Sequence, residues 1–284
     1  MQTRHKQAQD ENFPVASLMI SKQLRPLVMD YYEFARYCDD IADNPDLLPE
    51  EKLTQLQEIA DIFCGKKKYR GNKLSFAAKL KNDFWREELD ASLANDLLVA
   101  FRRDSQGEIY ETWEQLVNYC LYSAVPVGRF MLAIHNESTI TYQPAAALCV
   151  ALQIVNHLQD IKYDLLKLNR LYLPADLMKK YKVKKEDLLQ NQSTPKVKKL
   201  IHHISALVQG QLEESLVLPQ LVRSWRLRYQ LYIILSLTNI MLKKINKGDV
   251  LKSEICLNIW DWTKAISVGI MRGLFARSRL YRKQ

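Results

Sequence analysis

Apolar positions recur at steps of three and four through most of the chain. Between Leu24 and Ile41 the repeat runs Leu24, Leu27, Val28, Tyr31, Tyr32, Phe34, Ala35 and Cys38, a spacing that lays one stripe along a helix. The same period predicts helices over roughly 51–63, 74–86, 90–103, 111–135, 143–167, 195–218, 220–246 and 252–276. Turn chemistry separates them at Asn44-Pro45, Gly71-Asn72, Asp104-Ser105-Gln106-Gly107, Pro174 and Lys247-Gly248-Asp249. No pair of segments alternates with the period of a strand. Two stretches, 116–134 and 143–158, are apolar nearly all round, which places them in the middle of a bundle. The expected architecture is all-α, one domain over 1–284 with its core from about 11 to 275 and a basic tail at 276–284.

Composition narrows the function. With 284 residues, 48% hydrophobic and 26% charged, the chain buries a sizeable core and is not disordered. Neither GxGxxG nor GxxxxGK[ST] occurs, so the usual nucleotide cradles have no support. The five cysteines, Cys38, Cys64, Cys120, Cys149 and Cys256, are odd in number and form no CxxC. That pattern fits a reduced cytoplasmic protein without a disulfide framework. The polar start MQTRHKQAQDEN lacks the apolar core of a signal peptide. The run Tyr229–Leu242 is too short and too interrupted to span a bilayer.

Net charge is +9, unevenly shared. Residues 1–150 hold 17 Lys+Arg against 22 Asp+Glu, and residues 151–284 hold 24 against 10. A basic half suits an anionic membrane or a phosphorylated ligand. Nucleic acid is not expected, because no recognised binding motif accompanies the charge. Near the end, Arg272, Arg277, Arg279, Arg282 and Lys283 mingle with Leu274, Phe275, Leu280 and Tyr281, an arrangement suited to peripheral contact at the inner face of the membrane.

Two constellations carry candidate chemistry. In Arg36-Tyr37-Cys38-Asp39-Asp40-Ile41-Ala42-Asp43, Asp39 and Asp43 share a helix face with Arg36 one turn earlier. The carboxylates repel unless a cation lies between them. In the second, Gln153, Asn156, Asp160 and Asp164 follow one helical stripe for three turns. It emerges from the apolar run Ala145–Leu152, so its upper part is expected to be buried, where carboxylates require cations or hydrogen bonds. Either set also reads as ordinary structure, a solvated acidic face or a buried polar network. Together they suggest opposed helices gripping hard cations. All-oxygen ligands favour Mg²⁺, which completes its shell with substrate phosphates. A diphosphate held against apolar walls describes an isoprenoid substrate.

The sequence resembles the squalene/phytoene synthase family. Asp39-Asp40-Ile41-Ala42-Asp43 and Asp160-Ile161-Lys162-Tyr163-Asp164 match its two aspartate-rich motifs. Glu11-Asn12-Phe13-Pro14-Val15-Ala16-Ser17, the run from Tyr119 to Arg129, Arg170-Leu171-Tyr172-Leu173-Pro174 and Asp261-Trp262 look like its hydroxysqualene-forming branch in bacterial hopanoid biosynthesis. The resemblance implies an isoprenoid synthase bundle with a central active-site cavity. It implies that Asp39, Asp43, Asn156, Asp160 and Asp164 bind two or three Mg²⁺ with the substrate diphosphate. Arg36, Gln153 and Tyr172 contact the diphosphate or the nascent cation, and Asn12 and Ser17 line the site. Gln159 departs from the pattern, standing where many relatives carry Arg.

The reaction so implied ionises presqualene diphosphate, rearranges the cation and captures it with water, without NADPH. Tyr119, Tyr122, Asn156 and Tyr172 are the polar candidates near that cation. The alternatives are head-to-head condensation of prenyl diphosphates to presqualene diphosphate, squalene, dehydrosqualene or phytoene, a family-like scaffold that has lost catalysis, and a basic peripheral membrane protein without chemistry.

Overall fold

The structure is a computed structural model that describes residues 20–69 and 74–275. Asn12, Ser17, the Gly71-Asn72 turn and the basic tail 276–284 lie outside the described residues. The elements follow one another as α1 (Arg25–Asp43), α2 (Pro49–Phe63), α3 (Ser75–Arg86), α4 (Ser92–Gln106), α5 (Trp113–Ser123), α6 (Val125–Ile134), α7 (Tyr142–Tyr163), α8 (Ala175–Lys180), α9 (Lys185–Leu188), α10 (Pro195–Ser215), α11 (Leu218–Leu221), α12 (Trp225–Lys247) and α13 (Ile259–Phe275). No strand occurs among the described residues.

Where the chain departs from its periodicity, a local cause is visible. The stretch expected as one helix over 111–135 is two, α5 and α6, broken at Ala124. Pro126 sits in the first turn of α6; inside a continuous helix its ring would meet the carbonyl four residues back. By length and composition alone, Trp113–Ile134 is apolar enough to cross a membrane, but the break divides it, and Leu116, Tyr119, Phe130 and Leu132 are buried in the protein. Helix α4 runs on through Asp104 to Gln106, so the expected turn begins only at Gly107. Helix α13 starts at Ile259 instead of 252, and the segment from Leu251 to Asn258 is not helical.

The apolar stripes close on two cores. One gathers α1 to α4 with Phe130 and Ile134 of α6, and is rich in aromatic rings. Tyr31 and Phe130 stack there with centroids 4.0 Å apart. The other is built from α5, α7, α10 and α12 with the segments between them. Helix α1 packs on α2, α3 and α4, whereas α7 packs on α5, α6, α10 and α12. Helices α4 and α6 touch both sets. The two acidic motifs therefore stand on helices belonging to different cores.

Helix α13 lies against α12 along a line of small residues. Ala265, Gly269 and Gly273 are its buried positions. A Cβ at Gly269 would press into Ile233, and one at Gly273 into the Tyr229 ring. Gly269→Leu should therefore push α13 off α12 and cost about 1–3 kcal/mol by overpacking. Thermal melting checks this; an unchanged midpoint would show that the contact is not tight.

Candidate active site

The first acidic motif occupies the last turns of α1, with Asn44 as its cap. Asp39 and Asp43 share a face as the spacing requires. Arg36 answers the first part of the charge, donating to the Asp39 carboxylate at 3.1 Å and meeting Asp40 at 2.7 Å. Asp43 is met from another direction: Arg170 Nη1 lies 2.5 Å from its Oδ1. Burial, and then the neighbouring Asp43 charge, push the Asp39 carboxyl up to about 8. Arg36 and Arg170 oppose that shift without cancelling it. Near neutral pH Asp39 therefore keeps its proton, and added positive charge would favour its ionised form.

Arg170 is the hub. It is buried and all three guanidinium nitrogens are used. Besides Asp43, Nη2 donates to the Ala42 carbonyl at 2.7 Å and Nε to the Asp104 carbonyl at 3.0 Å. Lys52 reaches the same Ala42 carbonyl at 2.8 Å. The Asp104 carboxylate, buried at the end of α4, accepts from Tyr172 at 2.7 Å and from Tyr119 at 2.9 Å. Burial raises its pKa, while Arg170 and the two phenols pull it down. Burial and the Asp104 charge hold both phenols far above their ordinary range, so they remain protonated donors.

The second motif ends α7. Its apolar faces are buried through Ile154, Val155, Leu158 and Ile161, but the polar stripe is not buried as expected. Gln153, Asn156 and Asp160 are half-buried, and only Asp164 is enclosed. The reason is orientation: helices cover the apolar faces of α7, and the stripe turns toward accessible space. At Asp164 the helix loosens into one π-helical turn, Asp164–Leu168, closed by Asn169 in the left-handed region at φ 51°. Such turns are short and frequent at functional sites. The Arg170 N–H then bonds back to the Asp164 carbonyl at 3.0 Å. The following strap is fixed by Ala175 and Asp176 N–H groups donating to the Tyr110 and Glu111 carbonyls.

These constraints assemble an aromatic wall. His157 stacks on Tyr172 with centroids 3.7 Å apart, and Tyr119 lies 5.3 Å from Tyr172. Tyr110 closes against Tyr119 at 5.2 Å. His157 Nδ1 lies 3.5 Å from Asp164, and its Nε2 lies 3.2 Å from the Gln153 amide. Among the sequence candidates, Asp43, Asp164, Tyr119, Tyr172 and Gln153 are thus tied into one polar and aromatic cluster, with Asp39 and Arg36 one turn away on α1. Tyr122 is not part of it: its ring lies under the Arg103 guanidinium at 4.7 Å. Gln159 donates to the Ile255 carbonyl at 2.7 Å, binding α7 to the segment before α13.

Three residues escaped the sequence reading. In the sequence Arg170 stands only within its motif, His157 falls between the stripe positions, and Asp104 opens an expected turn. The signal for Asp104 was present, because it extends the buried line Leu97, Ala100 of α4, where a carboxylate needs partners.

A family model described as squalene/phytoene synthase matches residues 6–260. The chain belongs to the squalene/phytoene synthase family. It is 35% identical over 249 residues to a hydroxysqualene synthase of Sinorhizobium fredii, covering 88% of this chain and 84% of that protein. It is 36% identical over 268 residues to a hydroxysqualene synthase of Rhodopseudomonas palustris, covering 94% and 90%. The crystal structure of the squalene synthase HpnC from Alicyclobacillus acidocaldarius superposes with a TM-score of 0.73 at 30% identity, over 86% of this chain and 91% of that one. Membership makes this an enzyme acting on prenyl diphosphates, and squalene/phytoene synthases normally use divalent metals.

The donor set fits such a metal. Among the described residues no three His, Cys, Asp or Glu side chains gather closely enough to hold an ion alone. Candidate oxygen donors stand instead on two helices, Asp39 and Asp43 on α1 and Asn156 and Asp160 on α7, a set that would suit Mg²⁺ keeping water or substrate oxygens in its shell. Burial first and the Asp43 charge second raise the Asp39 pKa, and a cation between the two carboxyls would oppose the second cause.

Two outcomes follow. Since Asp39 holds its proton in the fold up to about pH 8, against about 3.9 when unfolded, its ionisation opposes folding as pH rises from the lower value to the upper. Asp39→Asn should raise the metal-free melting temperature at pH 8.5 by a few degrees and abolish turnover, with helical content intact; a variant that retains turnover in Mg²⁺ removes Asp39 from the metal site. Arg170→Ala strips the Asp43 carboxylate of its cation, while the Ala42 carbonyl keeps Lys52 and the Asp104 carbonyl keeps the Gly107 N–H. It should destabilise by about 2–3 kcal/mol, the lower range for a broken buried pair because Asp43 is partly open. Urea titration measures that loss.

Proposed function

We propose that the protein is a hydroxysqualene synthase. It takes presqualene diphosphate, releases diphosphate, guides rearrangement of the cyclopropylcarbinyl cation and adds one water to give hydroxysqualene. The observation that carries this reading is the identity of about 35% to hydroxysqualene synthases over most of both chains. The cluster of Tyr119, Tyr172, His157 and Asp104 supports it chemically.

In this reading Asp39 and Asp43 on α1, with Asn156, Asp160 and Asp164 on and after α7, hold Mg²⁺. When bound, Mg²⁺ takes up charge on the departing diphosphate and lowers the ionisation barrier. Arg36 and Gln153 orient the diphosphate. The buried, mutually stacked rings of His157, Tyr172, Tyr119 and Tyr110 back the site with a packed wall that keeps bulk water away while carbons migrate.

Capture needs a water whose oxygen lone pair faces the cation. Tyr119 and Tyr172 donate their protons to Asp104, which leaves each phenol oxygen with lone pairs to accept from a water. A water held by its hydrogens on such an oxygen presents its own oxygen outward. The new C–O bond forms there, and the proton of the resulting oxonium passes to the departed diphosphate anion. Asp104 thus sets the polarity of the capture step without touching the substrate. The same reading places the enzyme in the cytoplasm at the inner face of the membrane, supported by the basic half of the chain.

The test is the product. With Mg²⁺ and presqualene diphosphate, the purified protein should yield the alcohol at a rate independent of NADPH, carrying one oxygen-18 when made in labelled water. Tyr172→Phe removes one acceptor and should divert product toward polyenes more than it slows diphosphate release. Squalene formed only when NADPH is supplied would overturn the water-capture reading while leaving the family standing.

A further inference from the structure

We propose that the outer face of α13 is a docking surface for an anionic lipid bilayer. Helix α13 buries only its small-residue line against α12. Its outer side carries Ile259, Trp260, Ile270, Met271, Leu274 and Phe275, each with between 46% and 86% of its surface open. Their positions span about half the helix circumference along all 17 residues, a length of about 25 Å. Thr263, Lys264 and Ser267 stand among them on the middle turns, so the apolar surface is densest where Ile270, Met271, Leu274 and Phe275 lie together. Single exposed apolar residues are ordinary on a protein surface, but such a cluster marks an interaction site.

Charge selects the partner. From Trp262 to the end of the chain no Asp or Glu occurs, while Lys264, Arg272, Arg277, Arg279, Arg282 and Lys283 are all cationic. The one acid of α13, Asp261, is already paired with Lys244. A second copy docked face to face would set these cations against each other. Anionic headgroups neutralise them, and acyl chains accept the apolar side chains.

The geometry points to a helix lying flat in the interface. Ala265, Gly269 and Gly273 hold α13 to α12 along its length, so only the outer half is free to enter lipid, to a depth of about 5–10 Å. Because Gly273 packs on Tyr229 and Gly269 on Ile233, the end of α13 lies beside the start of α12. There Trp225 is 61% exposed and packs edge-on to Tyr229 with centroids 6.0 Å apart. Arg226 sits over its ring at 5.3 Å. An open tryptophan with an arginine is the side-chain pair favoured at the headgroup level.

The experiment needs no substrate, so it stands apart from the reaction. The full chain is sedimented with vesicles of phosphatidylcholine alone or mixed with phosphatidylglycerol, at low and raised salt. Wild type should bind the mixed vesicles, weaken as salt rises, and bind phosphatidylcholine roughly tenfold less well. Ile270→Gln with Leu274→Gln, both at exposed positions, should lower binding to mixed vesicles roughly tenfold with the circular dichroism and melting temperature of wild type. Arg272→Glu, also exposed, should weaken binding and flatten its salt dependence. The proposal is overturned by no binding to anionic vesicles, by equal binding to both lipids, or by variants that bind as wild type does. A lipid-free dimer that the double variant dissolves would assign the face to a second copy of the chain instead.

Discussion

The molecule depends on how one buried arginine is satisfied. Arg170 joins the end of α1, through Asp43 and the Ala42 carbonyl, to the end of α4, through the Asp104 carbonyl. It leaves the strap that follows α7 at a point pinned to Asp164. Two apolar cores that would otherwise meet along an oily seam are instead held by a guanidinium with every nitrogen bonded. A cation in that position tolerates only a lined, polar surrounding. The region between the cores therefore stays polar, and acidic side chains can stand there without collapsing onto one another.

From that link the chemistry follows in order. Arg170 pairs with Asp43, and the Asp39 carboxyl is pushed up by burial and then by the Asp43 charge. The Asp104 carboxylate, lying beside the same guanidinium, fixes Tyr119 and Tyr172 as donors, which sets the direction in which their oxygens can accept. Tyr172 in turn gives His157 a ring to stack on, and His157 brings Asp164 and Gln153 into the same cluster. Charge, hydrogen-bond polarity and ring stacking are thus one connected arrangement. Substituting any member changes its neighbours, so effects within the cluster should be strongly non-additive.

Much of this was legible along the chain. The three-to-four period located α1, α2, α3, α7, α10 and α12 because each buries a stripe that sequence alone displays. It merged α5 with α6 because periodicity does not register what a Pro126 ring does to the carbonyl four residues back. The aspartate motifs were readable as spacing, since residues four apart on a helix share a face whatever surrounds them. Asp104, Arg170 and His157 are less readable because their roles come from partners 15 to 128 positions away, such as Tyr119 and Tyr172 on Asp104, Tyr172 on His157 and Ala42 on Arg170. Burial of the second stripe was misjudged for a related reason. An apolar flank says that a helix is central, but not which of its faces looks into accessible space.

The π-helical turn after Tyr163 resolves a geometric conflict in the second motif. A regular helix would carry residues 164 to 172 onward along the axis of α7, placing Arg170 nearly three turns beyond Asp160 and away from α1. A proline would stop the helix but would remove an N–H that the strap requires. Widening by one turn and closing at a left-handed Asn169 does neither. It keeps Asp164 in register with His157 seven positions earlier, two turns along the same face. It then reverses the chain, so that the Arg170 N–H returns to the Asp164 carbonyl while its side chain reaches Asp43. The local irregularity is therefore what allows a motif on one core to share a site with a motif on the other.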